Sequence, residues 1–176
     1  MNKVLIALGS NIGDRSYWIS QALHYMQILA GNIQAISKFH ETEPIGTANL
    51  PFLNGACIIE TRRAPEDLMR TLLKIENFLQ RDRTIHWGNR TIDLDIILWK
   101  NADGTSLQFY SPQLEIPHPE SPFRPFVLIP AAEIAGDWLH PLRSVNLNKL
   151  VADLVPSHIT GTESSPSSSK SISHSL

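Results

Sequence analysis

An α+β fold, with a mainly antiparallel sheet covered by helices, is what the sequence predicts, and three observations predict it. Short apolar runs of strand character and longer runs at helical spacing follow one another in the order βαββαβ. Turn residues punctuate the junctions, as in GSNIGDR at 9–15, TEPIGTANLP at 42–51 and NADG at 101–104. The chain has 176 residues, 42% of them apolar and 18% charged, enough for one domain with a sizeable core.

KVLIAL (3–8) reads as a short apolar strand. Asp14 is a candidate N-cap for a helix in which Ile19, Ala22, Leu23, Met26 and Leu29 recur on one stripe, with Gly31 as its C′ residue. IQAISKF (33–39) alternates like a half-buried strand, and FLNGACIIET (52–61) is a second strand-like run. Pro65 starts a second helix, with Glu66 and Asp67 in its first turn and Leu68, Leu72, Ile75 and Leu79 inward. A basic connection, QRDRTIHWGNR, leads to a strand over 92–99, followed by weak strand signals around Leu107 and Leu114. The proline-rich IPHPESPFRPFVLIPAAEIAG predicts a loop with one or two helical turns over 125–129. This element order is the ferredoxin-like plan.

A net charge of −2 gives no electrostatic case for nucleic acid or an anionic membrane as partner. No apolar run approaches the roughly 20 residues a membrane-spanning helix needs. About six apolar residues before Gly9 are too few for a secretory leader. Cys57 is alone, so neither a disulfide framework nor a cysteine metal site is available. A cytoplasmic monomer is expected. Nine of the last twenty residues, 157–176, are Ser, and they offer almost nothing to bury, which predicts a disordered tail after a domain over 1–156. Truncation after Pro156 should therefore leave melting temperature and activity unchanged; a clear drop in either speaks against this division.

Two carboxylates, Asp93 and Asp95, interrupt the apolar strand WGNRTIDLDIILW (87–99). Strand alternation puts Asp93, Asp95 and Ile97 on one side and Leu94, Ile96 and Leu98 on the other, with the two acids about 7 Å apart. Unpaired, they repel each other and resist burial. A structural ion-pair cluster is one answer. The other is a metal with a polyphosphate, because Arg81, Arg83, His86 and Arg90 precede the acids within fifteen residues. No G-x-x-x-x-G-K-[ST] motif occurs, which excludes a P-loop, and GSNIGD reads as a turn.

Taken together, these residues resemble the 6-hydroxymethyl-7,8-dihydropterin pyrophosphokinase family of folate biosynthesis. The matching stretches are ALGSNIGDR (7–15), FLNGA (52–56), Arg81-x-Arg83, WGNRTIDLDII (87–97), and IPHP with R-x-FVL-x-P within 116–130. The resemblance implies an α/β sandwich around a ferredoxin-like sheet, and transfer of the β,γ-pyrophosphoryl group of ATP to the pterin hydroxymethyl group, releasing AMP. It implies two Mg2+ ions held by Asp93 and Asp95 with the ATP phosphates, and Arg81 and Arg83 as catalytic arginines of a loop that closes over them. Thr42, Pro44, Ile45, Asn54, Trp87 and Phe126 match pterin-binding positions. Glu76, Arg90, Ile96, His118 and Arg124 match ATP-binding positions. Asn89 departs from the usual residues of its turn, and the loops around TANLP and between Arg81 and Trp87 are short.

Two rival readings remain at the level of sequence. A two-metal phosphodiesterase needs further acids or histidines close to the D-x-D, and no tight cluster of them is present. A non-catalytic ligand-binding module leaves Arg81, Arg83, Asp93, Asp95, His118 and Arg124 without a joint purpose.

Overall fold

The computed structural model describes residues 1–44, 48–81 and 89–154. The expectations for Ile45, Arg83, Trp87 and the serine-rich segment lie outside them. β1 (Asn2–Ser10) is a central strand. Helix α1 (Arg15–Leu29) follows, then β2 (Asn32–Ile36), β3 (His40–Thr42), β4 (Phe52–Thr61) and α2 (Pro65–Phe78). β5 (Asp93–Lys100) completes the main sheet. A two-stranded ribbon of β6 (Phe109–Ser111) and β7 (Leu114–Ile116) leads through a 3-10 turn (Ser121–Phe123) to α3 (Pro125–Ala135). A second ribbon, β8 (Leu139–His140) and β9 (Val145–Asn146), precedes α4 (Leu147–Leu154).

The main sheet runs β2-β4-β1-β5, every pairing antiparallel, with β3 joined to the other end of the same edge of β4. The architecture is α+β. One face packs Val4, Ile6, Leu8, Ile59, Leu94 and Ile96 against Ile19, Ala22 and Met26 of α1 and Leu68, Leu72 and Ile75 of α2. The opposite face packs Leu5, Ala56, Ile58, Ile97 and Leu98 against Val127, Leu128, Ala131 and Ala135 of α3 and Leu147 and Leu150 of α4. Among the described residues, no helix is long and apolar enough to cross a membrane.

Local chemistry explains most boundaries. Asp14 caps α1, its side chain accepting from the Tyr17 N–H. Pro65 opens α2 with its missing N–H at a position that needs none. Gly31 follows α1 as expected but for another reason. A Cβ there would lie 2.4 Å from the Glu60 carbonyl, so β4 requires the glycine for close approach.

Four expectations are corrected. Leu98 faces α3 and α4 beside Ile97, not the side of Leu94 and Ile96, because the β1–β5 register shifts between Leu5 and Ile6 and leaves Ile97 as an extra residue. α3 reaches Ala135 despite Pro130. Pro130 forfeits one helix bond, at about 3 kcal/mol, yet burial of Val127, Leu128, Ala131 and Ala135 against the sheet offsets it. The strand expected over 33–39 stops at Ile36, and a separate short strand, β3, begins at His40. The sequence reading assigns no element after 129, whereas β8, β9 and α4 complete the second core.

Candidate active site

Strand register brings the candidate residues together. Asn54 of β4, Gly9 of β1 and Asp93 of β5 are Cα partners across three adjacent strands. One step along, Ala56, Ala7 and Asp95 form the next row. With strands about 4.8 Å apart, Asn54 and Asp93 stand about 10 Å from each other. Between them the middle strand offers only Gly9 and Ala7, which leaves depth. A cavity of about 400 Å³ opens there, lined by Gly9, Thr42, Phe52, Asn54, Arg90, Asp93, Asp95, Glu120, Phe123, Arg124 and Phe126 among others.

At one end, Asn54 is buried and its amide N–H donates to the Thr42 hydroxyl at 2.7 Å. The short strand β3 makes this possible, pairing Thr42 with Phe52 and His40 with Asn54. A Cβ on Gly9 would come within 3.0 Å of the Asn54 amide oxygen, so this glycine makes room for the amide rather than forming a turn. The turn itself falls at Gly13, whose φ is +63°.

At the other end, Asp93 is held on both sides. Arg81 approaches one carboxylate oxygen at 2.6 Å and Arg90 the other at 2.6 Å. Arg81 also pairs with Glu76, a carboxylate on α2 that is 1% exposed and accepts the Leu94 N–H at 2.7 Å. Asp95 is in a different state. Burial, reinforced by the carboxylates of Asp93 and Glu76, raises its carboxyl to about 7 against the pull of Arg81 and Arg124.

The bulge at Ile97 positions the third group. The Ile97 carbonyl accepts the His118 N–H at 3.0 Å, fixing the chain that carries His118, Glu120 and Arg124 beside β5. Burial and the Arg124 charge lower the His118 pKa, so the ring is neutral at neutral pH. The Glu120 N–H donates to its Nδ1 at 3.2 Å, which makes Nε2 the N–H of that neutral ring.

Asp93, Asp95, Thr42, Asn54, Phe126, Arg90 and Arg124 therefore surround one cavity. Arg81 joins them through Asp93. His118 and Pro44 are not among the lining residues, and the Ile96 side chain packs into the core behind the sheet. Glu76 is buried beneath Arg81 rather than lining the cavity. Sequence reasoning missed Phe52 and Phe123, both lining residues, and Asn11. The Asn11 amide donates to the Leu50 carbonyl and to Asn89, and its oxygen accepts the Arg90 N–H at 2.7 Å. Asn89 also bonds Asn49, so the unusual residue of that turn clasps two loops.

The two aspartates suit a hard divalent cation. They share a sheet face and open on one cavity, and burial beside Asp93 and Glu76 holds the Asp95 carboxyl up at about 7, so a cation there would favour its charged form. No group of three potential ligands occurs among the described residues. The carboxylate pair itself is what Mg2+ uses, since that ion binds through one or two carboxylates and completes its shell with substrate phosphates and water.

Comparison with known proteins places the chain in a family. The sequence model of the 7,8-dihydro-6-hydroxymethylpterin-pyrophosphokinase (HPPK) family matches residues 5–136. The 2-amino-4-hydroxy-6-hydroxymethyldihydropteridine pyrophosphokinase of Bacillus subtilis is 42% identical over 135 residues, 76% of this chain and 78% of its own. The Porphyromonas gingivalis protein of the same name is 37% identical over 142 residues, 78% of this chain and 93% of its own. In structure, the chain resembles wild-type Plasmodium falciparum HPPK-DHPS with a TM-score of 0.67 at 15% identity, covering 86% of this chain and 44% of that one. With the match spanning both the strand that carries the aspartates and the turn that carries Arg124, the chain belongs to the HPPK family.

Proposed function

We infer that this chain transfers the pyrophosphoryl group of ATP to 6-hydroxymethyl-7,8-dihydropterin, giving AMP and the pterin diphosphate, a step of folate biosynthesis. The observation that carries the reading is the row Asn54–Gly9–Asp93, which sets a buried amide and a carboxylate pair at opposite ends of one cavity. The span suits a fused two-ring heterocycle with its hydroxymethyl arm aimed at the acids. The strand order, with two crossovers that each skip one strand, supports the ferredoxin-like reading of the sheet.

In this reading the Asn54 amide, oriented by the Thr42 hydroxyl, pairs with the donor and acceptor edge of the pterin, and the Phe52 and Phe126 rings cover its faces. Thr42, Pro44, Ile45 and Trp87 complete the pterin side. Asp93 and Asp95 hold Mg2+, two ions in our proposal. When bound, Mg2+ supplies Lewis-acid polarisation of phosphate oxygens and a counter-charge for the transferring group. Arg90, Arg124 and the Nε2–H of His118 donate to phosphate oxygens. Arg81 and Arg83 cover the charge that develops at the transferred phosphorus, and Glu76 acts by orienting Arg81. Ile96 contributes to the nucleotide side through its main chain. Positioning and charge stabilisation carry the reaction, since transfer through a loose transition state needs little proton chemistry. We take the protein to act as a monomer. We take the cytoplasm as its compartment.

AMP formation that requires ATP, Mg2+ and the pterin together tests the reading. ATP breakdown indifferent to the pterin, or cleavage of phosphodiesters, overturns it. Asn54→Ala should weaken pterin binding by roughly 1–3 kcal/mol, the cost of leaving buried pterin donors or acceptors unpaired, while MgATP binding holds. Equal losses for both substrates speak against the pterin role of Asn54.

A further inference from the structure

Asn11 is 2% exposed and has no role in the reading above, although it stands in the motif GSNIGDR. It grips the Arg90 main chain from both sides. The Asn11 N–H donates to the Arg90 carbonyl at 3.1 Å, and the Asn11 amide oxygen accepts the Arg90 N–H at 2.7 Å. Its amide N–H groups turn elsewhere, to the Leu50 carbonyl at 3.1 Å and the Asn89 amide oxygen at 2.8 Å. Asn89 carries the connection on to Asn49. Its amide oxygen also accepts the Asn49 N–H at 3.2 Å, and its amide N–H donates to the Asn49 side-chain oxygen at 2.6 Å.

These bonds join two walls of the cavity without lining it. Asn49 and Leu50 lead through Pro51 into Phe52 of β4, and Arg90 follows Asn89 directly. The same walls meet again inside, where the Arg90 guanidinium stands over the Phe52 ring at 5.7 Å and donates to Asp93 at 2.6 Å. A ring contact sets no spacing between two chains, whereas hydrogen bonds are directional and do. The bonds between Asn89 and Asn49 are exposed, where such bonds add little to stability. What they fix is the placement of a guanidinium on the nucleotide side relative to a ring on the pterin side.

We propose that Asn11, Asn89 and Asn49 are positioning residues that couple the two substrate sites, so that a phosphate held by Arg90 strengthens pterin binding beside Phe52. This rests on the two-substrate reading of the cavity. A phosphate oxygen on the Arg90 guanidinium restricts the Arg90 main chain. The asparagines pass that restriction to Asn49 and Leu50, and the pterin meets a Phe52 whose ordering is already complete. By linkage, the pterin strengthens nucleotide binding by the same factor.

The test titrates hydroxymethyldihydropterin into the whole chain twice, alone and with Mg2+ and a non-hydrolysable ATP analogue. In the wild type the analogue should tighten pterin binding by about 10-fold or more. In Asn89→Ala the two titrations should fall within about 2-fold of each other, since the coupling is removed. Its affinity for the analogue alone and for the pterin alone should hold, because Arg90 keeps Asn11 and Asp93. Asn49→Ala keeps the main-chain bond and should lose a smaller part of the coupling. The double variant should lose no more than Asn89→Ala, since both changes act on one set of bonds. Asn89→Asp still accepts from Asn11 and from the Asn49 N–H, and the Asn49 amide can turn its own N–H toward the new carboxylate, so the coupling should survive. Coupling kept in Asn89→Ala, coupling lost equally in Asn89→Asp, or pterin affinity lowered by the same factor in both titrations overturns this inference alone. So does a wild type whose two ligands bind independently. A wild type that binds no pterin in either titration overturns it together with the reading beneath it.

Discussion

Replacing Asp95 by Asn is expected to abolish pyrophosphoryl transfer and, at the same time, to raise the melting temperature of the metal-free protein at pH 8. The Asp95 carboxyl sits near 7 instead of 3.8 because burial, Asp93 and Glu76 all disfavour its charge. Between those two values the folded state holds a proton that the unfolded chain has released. The stabilising contribution of the neutral acid is thus fully present below about 3.8 and is lost as pH rises through about 7. Asn removes the titration and keeps the shape. The gap in melting temperature between variant and wild type should therefore be smaller at pH 5 and widen by pH 8. His118 titrates with the opposite sign, and taking the difference between the two proteins cancels it. Mg2+ with an ATP analogue should narrow the gap at pH 8 by stabilising only the wild type. Near-normal turnover in the variant, or a gap that shrinks as pH rises, would remove Asp95 from the metal site.

Sequence carries this site unevenly, for physical reasons. β4 was legible over its whole length because a mostly apolar run bounded by turn residues needs no partner to be recognised. α2 was legible because Pro65, two acids and a four-residue stripe agree. The shared face of Asp93 and Asp95 followed from alternation alone. Leu98 did not follow, because a bulge is a property of two paired strands and leaves no mark in either one. Glu76 was not legible as a buried acid. Its spacing puts it next to the apolar stripe of α2, and only the arrival of Arg81 and the Leu94 N–H makes that burial tolerable. Phe52 and Phe123 read as ordinary aromatics until the register of β4 and the turn before α3 open both onto one cavity.

Arg81→Ala should lower kcat by orders of magnitude while the dissociation constants of MgATP and the pterin move little. Arg81 is engaged by protein carboxylates, Glu76 and Asp93, and is 13% exposed. Its contribution to substrate affinity is correspondingly small, and its charge is available to the phosphates only once Asp93 has another cation. The variant should also lose stability. Breaking a buried pair by removing one partner costs about 3–5 kcal/mol, and the low end applies because Glu76 keeps the Leu94 N–H and Asp93 keeps Arg90. Adding Glu76→Gln removes the stranded charge and should restore most of the melting temperature. Turnover should stay low, since the lost charge belongs to the transition state. Arg81 also pulls the Asp95 carboxyl down, so residual activity in Arg81→Ala should shift to higher pH. Single-turnover rates, equilibrium titrations and melting curves on the single and double variants separate the roles. Turnover recovering together with stability in the double variant would reduce Arg81 to a structural ion. MgATP binding lost with the transfer step intact would make it a clamp. Only a stable, substrate-binding and slow double variant puts Arg81 at the developing charge.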